Sequence, residues 1–116
     1  MNRRSLRLFS VMAMLLAALL GLASAPQATA TPTGMDVFCE SGGNQYYCEL
    51  TYTSSVGAMS ISWYINGSYI PAYANLYFFI RSCSTSQQYN VTAVATDSTG
   101  TAQAGYTINC RSGPWQ

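Results

Sequence analysis

From Met35 onward apolar and polar side chains alternate with a period of two, interrupted at short intervals by Gly, Asn, Ser and Pro. Met35, Val37 and Cys39 share one side of a first segment, which breaks at Ser41-Gly42-Gly43-Asn44. Tyr46, Cys48, Leu50 and Tyr52 share one side of a second, with Glu49, Thr51 and Thr53 opposite. A polar turn follows, and then Ile61, Trp63 and Ile65 face one way while Ser62 and Tyr64 face the other. Leu76, Phe78 and Ile80 are assigned inward, and Tyr77, Phe79 and Arg81 outward. Tyr89, Val91, Ala93 and Ala95 line the inner side of a longer segment, which stops at Asp97-Ser98-Thr99-Gly100. Ala102, Ala104, Tyr106, Ile108 and Cys110 line the return. Period two belongs to strands buried on one face, and no stretch of this part has the 3.6-residue period of an amphipathic helix. About seven short antiparallel strands predict an all-β, two-sheet sandwich.

One turn fixes a register. Asn66-Gly67 is a strong hairpin signal, because a type I′ turn needs positive φ at both central residues. A two-residue turn places Ile65 opposite Ser68, Tyr64 opposite Tyr69 and Trp63 opposite Ile70, before Pro71 ends the pairing. With Trp63 inward, Tyr64 and Tyr69 point outward together.

The first thirty residues stand apart. Arg3, Arg4 and Arg7, the apolar run Val11–Leu22 and the small-residue site Ala28-Thr29-Ala30 have the layout of an export signal, with processing expected before Thr31. The apolar run is shorter than the roughly 20 residues a spanning helix needs. Arg3-Arg4 also allows the twin-arginine route, but Arg7 stands where that signal prefers an apolar residue, which favours the ordinary route. The expected organisation is a signal over 1–30, a flexible lead over 31–35, a sandwich over 36–111 and a short tail over 112–116.

Removing the leader changes the charge. Arg81 and Arg111 remain against Asp36, Glu40, Glu49 and Asp97, a net charge of −2, and the chain has no Lys or His. Nucleic acid and anionic membrane are bound chiefly through clustered cations, so neither is an expected partner. The remaining 86 residues give a small core that benefits from crosslinks. Cys39, Cys48, Cys83 and Cys110 form an even set in an exported chain, which predicts two disulfides. Their intervals of 8, 34 and 26 residues contain no paired knuckle of a zinc site, and no metal or cofactor is expected.

The segments Trp63-Tyr64-Ile65-Asn66-Gly67 and Tyr89–Gly100 resemble an immunoglobulin-like or PKD-like sandwich, over most of Cys39 to Cys110. The chain is similar to small secreted β-sandwich proteins of high-GC Gram-positive bacteria. Tyr89 falls where the tyrosine corner of such domains lies, two residues before the second core cysteine. Val91 stands in that cysteine's place and Leu50 near its partner's. In this topology the four cysteines are expected at one pole of the sandwich, replacing the central bridge. Cys39–Cys48 with Cys83–Cys110 is the preferred pairing, and Cys39–Cys110 with Cys48–Cys83 the next.

Chemistry has few candidates. The chain has no His or Lys for acid–base work, and no free thiol if both bridges form. Glu40 and Glu49 could approach each other like a glycosidase pair, but on an open strand face rather than in a cleft. Asp97 is expected to cap its turn rather than to bind calcium. The expectation is a non-catalytic extracellular module, not an enzyme. Its candidate binding face is Tyr64 and Tyr69, with Tyr73 just beyond Pro71, since flat rings with a polar tip suit a polysaccharide or a protein partner. The alternative is an inhibitor of a secreted hydrolase, with its active loop at the disulfide pole.

Overall fold

A computed structural model of the chain describes residues 31–116, and the expected export signal lies outside the described residues. Seven strands follow one another: β1 (Asp36–Gly42), β2 (Gln45–Thr51), β3 (Ser60–Ile65), β4 (Ser68–Tyr69), β5 (Phe78–Ser82), β6 (Gln88–Asp97) and β7 (Gly100–Asn109), with a single 3-10 turn at Pro71–Tyr73 before β5. Two of the hairpins turn on residues that tolerate positive φ. Gly43 and Asn44 (57° and 61°) close β1 onto β2, and Asn66 and Gly67 (50° and 80°) close β3 onto β4. The strands pair antiparallel in two sheets, β1-β2-β5 and β4-β3-β6-β7, the strand order of an immunoglobulin-like sandwich.

The inner faces meet on Trp63, which is 0% exposed. Its indole N–H donates to the Leu76 carbonyl at 2.8 Å, so the one polar atom of the ring is satisfied and the chain entering β5 is pinned to β3. Asn75, at φ 63°, continues that pinning. Its N–H donates to the Ile61 carbonyl at 2.8 Å, and its side-chain oxygen accepts the Ile61 N–H at 3.0 Å. Replacing a side chain buried like Trp63 by Ala costs about 3–5 kcal/mol, because transfer energy is lost and a cavity remains.

β5 presents the face opposite to the expected one. Phe79 is buried, while Phe78 and Ile80 are exposed. Phe79 pairs with the inward Cys48, and its ring meets Trp63 edge-on at 5.0 Å, Tyr46 edge-on at 5.9 Å and Tyr73 face-to-face at 4.4 Å. The run Leu76–Ile80 is apolar at every position, so no period distinguishes its two sides. The aromatic slot beside Trp63 decides instead. Tyr52 and Tyr106, expected on core faces, also stand partly in solvent, where they rest on Tyr77 (6.1 Å) and Phe38 (5.9 Å).

Both disulfides of the preferred pairing are present, Cys39–Cys48 and Cys83–Cys110. Only the second lies at a pole. Cys39 and Cys48 are the fourth of the seven β1–β2 register pairs and are buried in the core, because both positions share the inward parity of Val37, Tyr46 and Leu50. The central crosslink has therefore been kept, but within one sheet instead of between two. Val91 and Leu50 remain aliphatic and buried. Cys83–Cys110 joins the end of β5 to the end of β7 and is the covalent link between the sheets.

The C-terminal residues are strapped to the same pole. Ser41 and Gln116 exchange backbone hydrogen bonds at 3.0 Å, Gly43 N–H donates to the Gly113 carbonyl and Asn44 N–H to the Arg111 carbonyl. The buried Ser41 hydroxyl donates to the Gln45 carbonyl and accepts the Arg111 N–H. The free edge of β1 is thereby covered at its Ser41–Gly42 end by the chain itself, which blunts that end as a template for pairing.

Candidate functional site

The Asn66-Gly67 turn sets Tyr64 directly opposite Tyr69, as its two-residue length requires. Asn66 is locked in place by β6: its N–H donates to the Asn90 carbonyl at 2.8 Å, and its side-chain oxygen accepts the Asn90 N–H at 2.9 Å. Because Trp63 and Ile65 are inward, both tyrosines project from the outer face of the four-stranded sheet, ring centroids 5.7 Å apart and planes at 48°. Tyr64 is half-buried and Tyr69 exposed.

Register extends this pair into a row. Tyr64 faces Thr92 on β6, and Thr92 faces Gly105 on β7. The next row sets Ser62, Val94 and Gln103 side by side. Gly105 adds no side chain, and a β-carbon there would approach the Val91 carbonyl to 3.1 Å. The outcome is a shallow open depression of about 350 Å³ lined by Tyr64, Gly67, Thr92, Val94 and Gln103. Its walls are one aromatic ring, one aliphatic side chain, a hydroxyl and a carboxamide. No Asp, Glu, Lys or Arg stands on this sheet's outer face.

Tyr73 does not join the pair. The 3-10 turn that Pro71 initiates directs its ring back against Phe79, where it is half-buried beside the core. Its direction is decided by the Phe79 ring, a contact between distant segments that spacing along the chain does not report.

Asp97 holds its turn. One carboxylate oxygen accepts from the Thr99 N–H, the Thr99 hydroxyl and the Gly100 N–H, and the other accepts the Val56 N–H at 2.9 Å. The Thr99 hydroxyl foremost, then the Val56 amide, keep the Asp97 carboxyl below its ordinary range. The group is occupied by donors on both oxygens and serves to tie the segment after β2 to the β6–β7 turn.

A second surface emerges on the other side of the molecule, and the reversal of β5 creates it. The outer face of β1-β2-β5 aligns Phe38, Glu49 and Phe78 in one row and Glu40, Tyr47 and Ile80 in the next. The Tyr47 hydroxyl donates to Glu49 at 2.8 Å, and that bond holds the Tyr47 phenol above its ordinary pKa. Glu40 and Glu49 thus lie among aromatic rings on an open sheet, not across a cleft. The β1 and β2 members of this face have the outward parity expected of them, whereas the alternation places Phe78 and Ile80 inward and the structure turns them out.

No protein-family model matches the chain, and no curated protein matches it.

Proposed function

We propose that the chain is a non-catalytic extracellular binding module whose four-stranded sheet takes a neutral polysaccharide on its outer face. The uncharged depression beside Tyr64 and Tyr69 carries this reading. Its volume of about 350 Å³ falls in the range of small-ligand sites, and it is open enough to admit part of a long chain. A sugar ring offers an apolar C–H face to stack on tyrosine and a rim of hydroxyls for Thr92, Gln103 and the tyrosine hydroxyls. A face with no charge has nothing to neutralise an anionic or a cationic ligand, which favours an uncharged one. Two disulfides and the export-signal pattern of residues 1–30 support an extracellular setting. No carboxylate, imidazole, amine or thiol lines the depression.

Pull-down on insoluble neutral polysaccharides (cellulose, starch, mannan, xylan) beside anionic ones (pectate, alginate) tests the assignment. Retention on a neutral polymer, insensitive to salt, is the expected result. Tyr64→Ser with Tyr69→Ser should weaken it by about 2 kcal/mol or more, the usual cost of removing aromatic anchors at a contact centre. The melting temperature should change little, since exposed cross-strand pairs contribute only about 0.2–1 kcal/mol. A folded double variant retained as well as the parent would reject this face. Capture by a secreted protease or lysozyme, with no retention on any polymer, would put the inhibitor reading in its place.

A further inference from the structure

The outer face of β1-β2-β5 combines exposed apolar rings with acids that no described arginine neutralises. Phe38, Phe78 and Ile80 are 42%, 59% and 56% exposed, although each is large and apolar. They lie on two adjacent rows of one sheet, with Tyr47 packed 5.9 Å from Phe78 and Tyr106 edge-on to Phe38. Several large apolar side chains exposed on one face mark contact sites on soluble domains.

The charges on this face all have one sign. Of the four acidic side chains among the described residues, Asp36, Glu40 and Glu49 project from it, interleaved with the rings, and the fourth, Asp97, is spent on its turn. Neither described arginine stands on the face. Arg81 has the inward parity of its register partner Tyr46, and Arg111 donates to the side chain of Gln116. Glu49 is already oriented by Tyr47.

We propose that this face docks a protein partner whose contact surface is apolar and carries Lys or Arg. Tyr47 on the central strand and Phe38, Phe78 and Ile80 on the strands either side supply the buried area, and cations on the partner meet Glu40, Glu49 and Asp36. A second copy of the chain fits poorly, since a two-fold contact through the same patch would set these carboxylates near their own counterparts. Anionic lipid and nucleic acid are repelled by the same charges. The face lies on the opposite side of the sandwich from the Tyr64–Tyr69 depression, so the two can be occupied together, and neither assignment depends on the other.

The test uses two synthetic probes, a peptide of alternating Leu and Lys and its counterpart of alternating Leu and Glu, titrated into the disulfide-bonded chain and followed by amide chemical shifts. Binding of the Lys peptide, weakened by salt and mapped to Phe38, Tyr47, Glu49, Phe78 and Ile80, is expected, with no binding of the Glu peptide. Glu40→Gln with Glu49→Gln should lower affinity about tenfold and flatten the salt dependence. Phe78→Ser with Ile80→Ser should abolish binding, and Phe38→Ser on the other edge strand gives the same readout should the β5 variant not fold. Equal binding of both peptides, shifts elsewhere on the surface, or full affinity in the glutamine variant would overturn the proposal. Concentration-dependent dimerisation through these residues would overturn it in favour of a second copy.

Discussion

Trp115 lies across Gly42 so closely that a β-carbon on Gly42 would stand 2.8 Å from the backbone nitrogen, the Cα and the ring of Trp115. Backbone atoms cannot rotate away as a side-chain end can. Gly42→Ala should therefore lift the strap and break the paired bonds between Ser41 and Gln116, at a cost of about 1–3 kcal/mol. Gly43→Ala is the control, because its site is open and only its φ of 57° is unfavourable, worth about 1 kcal/mol. Denaturant unfolding of both variants, with tryptophan emission to report the position of Trp115, measures the difference. A Gly42→Ala chain as stable as the parent would show that the strap is not packed on this glycine.

Tyr46 is buried between Phe79 and Tyr89, and its hydroxyl has no hydrogen-bond partner among the described residues. Burial, opposed in part by Arg81, pushes its pKa up from 10.0 to about 12. The folded chain keeps a proton that the unfolded chain releases, so stability is full below pH 10 and is lost as pH rises from 10 towards about 12. Tyr46→Phe should remove that part of the alkaline loss. At neutral pH it should leave stability unchanged or raise it by up to about 1 kcal/mol, since an unsatisfied buried hydroxyl disappears. Melting curves of parent and variant from pH 7 to 11 decide the point. A large loss at pH 7 would reveal a partner for the hydroxyl.

Asp97 predicts the opposite limb. Its carboxyl is held below 3.8 by the Thr99 hydroxyl first and by the amides of Val56, Thr99 and Gly100. A folded pKa lower than the unfolded one contributes stability that is present above about pH 4 and lost as pH falls through the folded value. Asp97→Asn should lower the melting temperature at pH 7 and shrink the acid-induced drop between pH 4 and 2. Hydrogen exchange at the Val56 amide should quicken in the variant, because that N–H is bound by the carboxylate. Unchanged exchange at Val56 would separate the segment after β2 from the β6–β7 turn.

What the sequence made legible was whatever local chemistry decides. Strict alternation in β1 and β2 reported Val37, Cys39, Tyr46, Cys48 and Leu50 as inward. Asn66-Gly67 reported the Tyr64–Tyr69 register, and the cysteine order pointed to the observed pairing. Where every position of a segment is apolar, as in Leu76–Ile80, alternation carries no information, and contact with Trp63 and Tyr46 chose Phe79. The same contact turned Tyr73 away from the candidate face. The strap of Arg111–Gln116 has no periodicity at all, since it is held mainly by backbone bonds to Ser41, Gly43 and Asn44, for which side-chain identity is nearly silent.

The two disulfides also prescribe how the domain responds to tension. The first described residues bridge to Ser54 past the far end of β2, and the last are bound at the Gly43-Asn44 turn, so a pull between them runs along the long axis of the sandwich. Force entering at Cys39 passes through the sulfurs to Cys48, and force leaving by Cys110 arrives through Cys83. The 8 and 26 residues enclosed by the bridges are shielded from extension, and β6 and β7 both lie inside the longer span. Only the segment from Cys48 to Cys83 and the two ends can add contour length. A molecule anchored on one side and loaded on the other would draw out the Cys48–Cys83 segment and then stop at a covalent limit, keeping the β6–β7 ladder in the slack part of the chain.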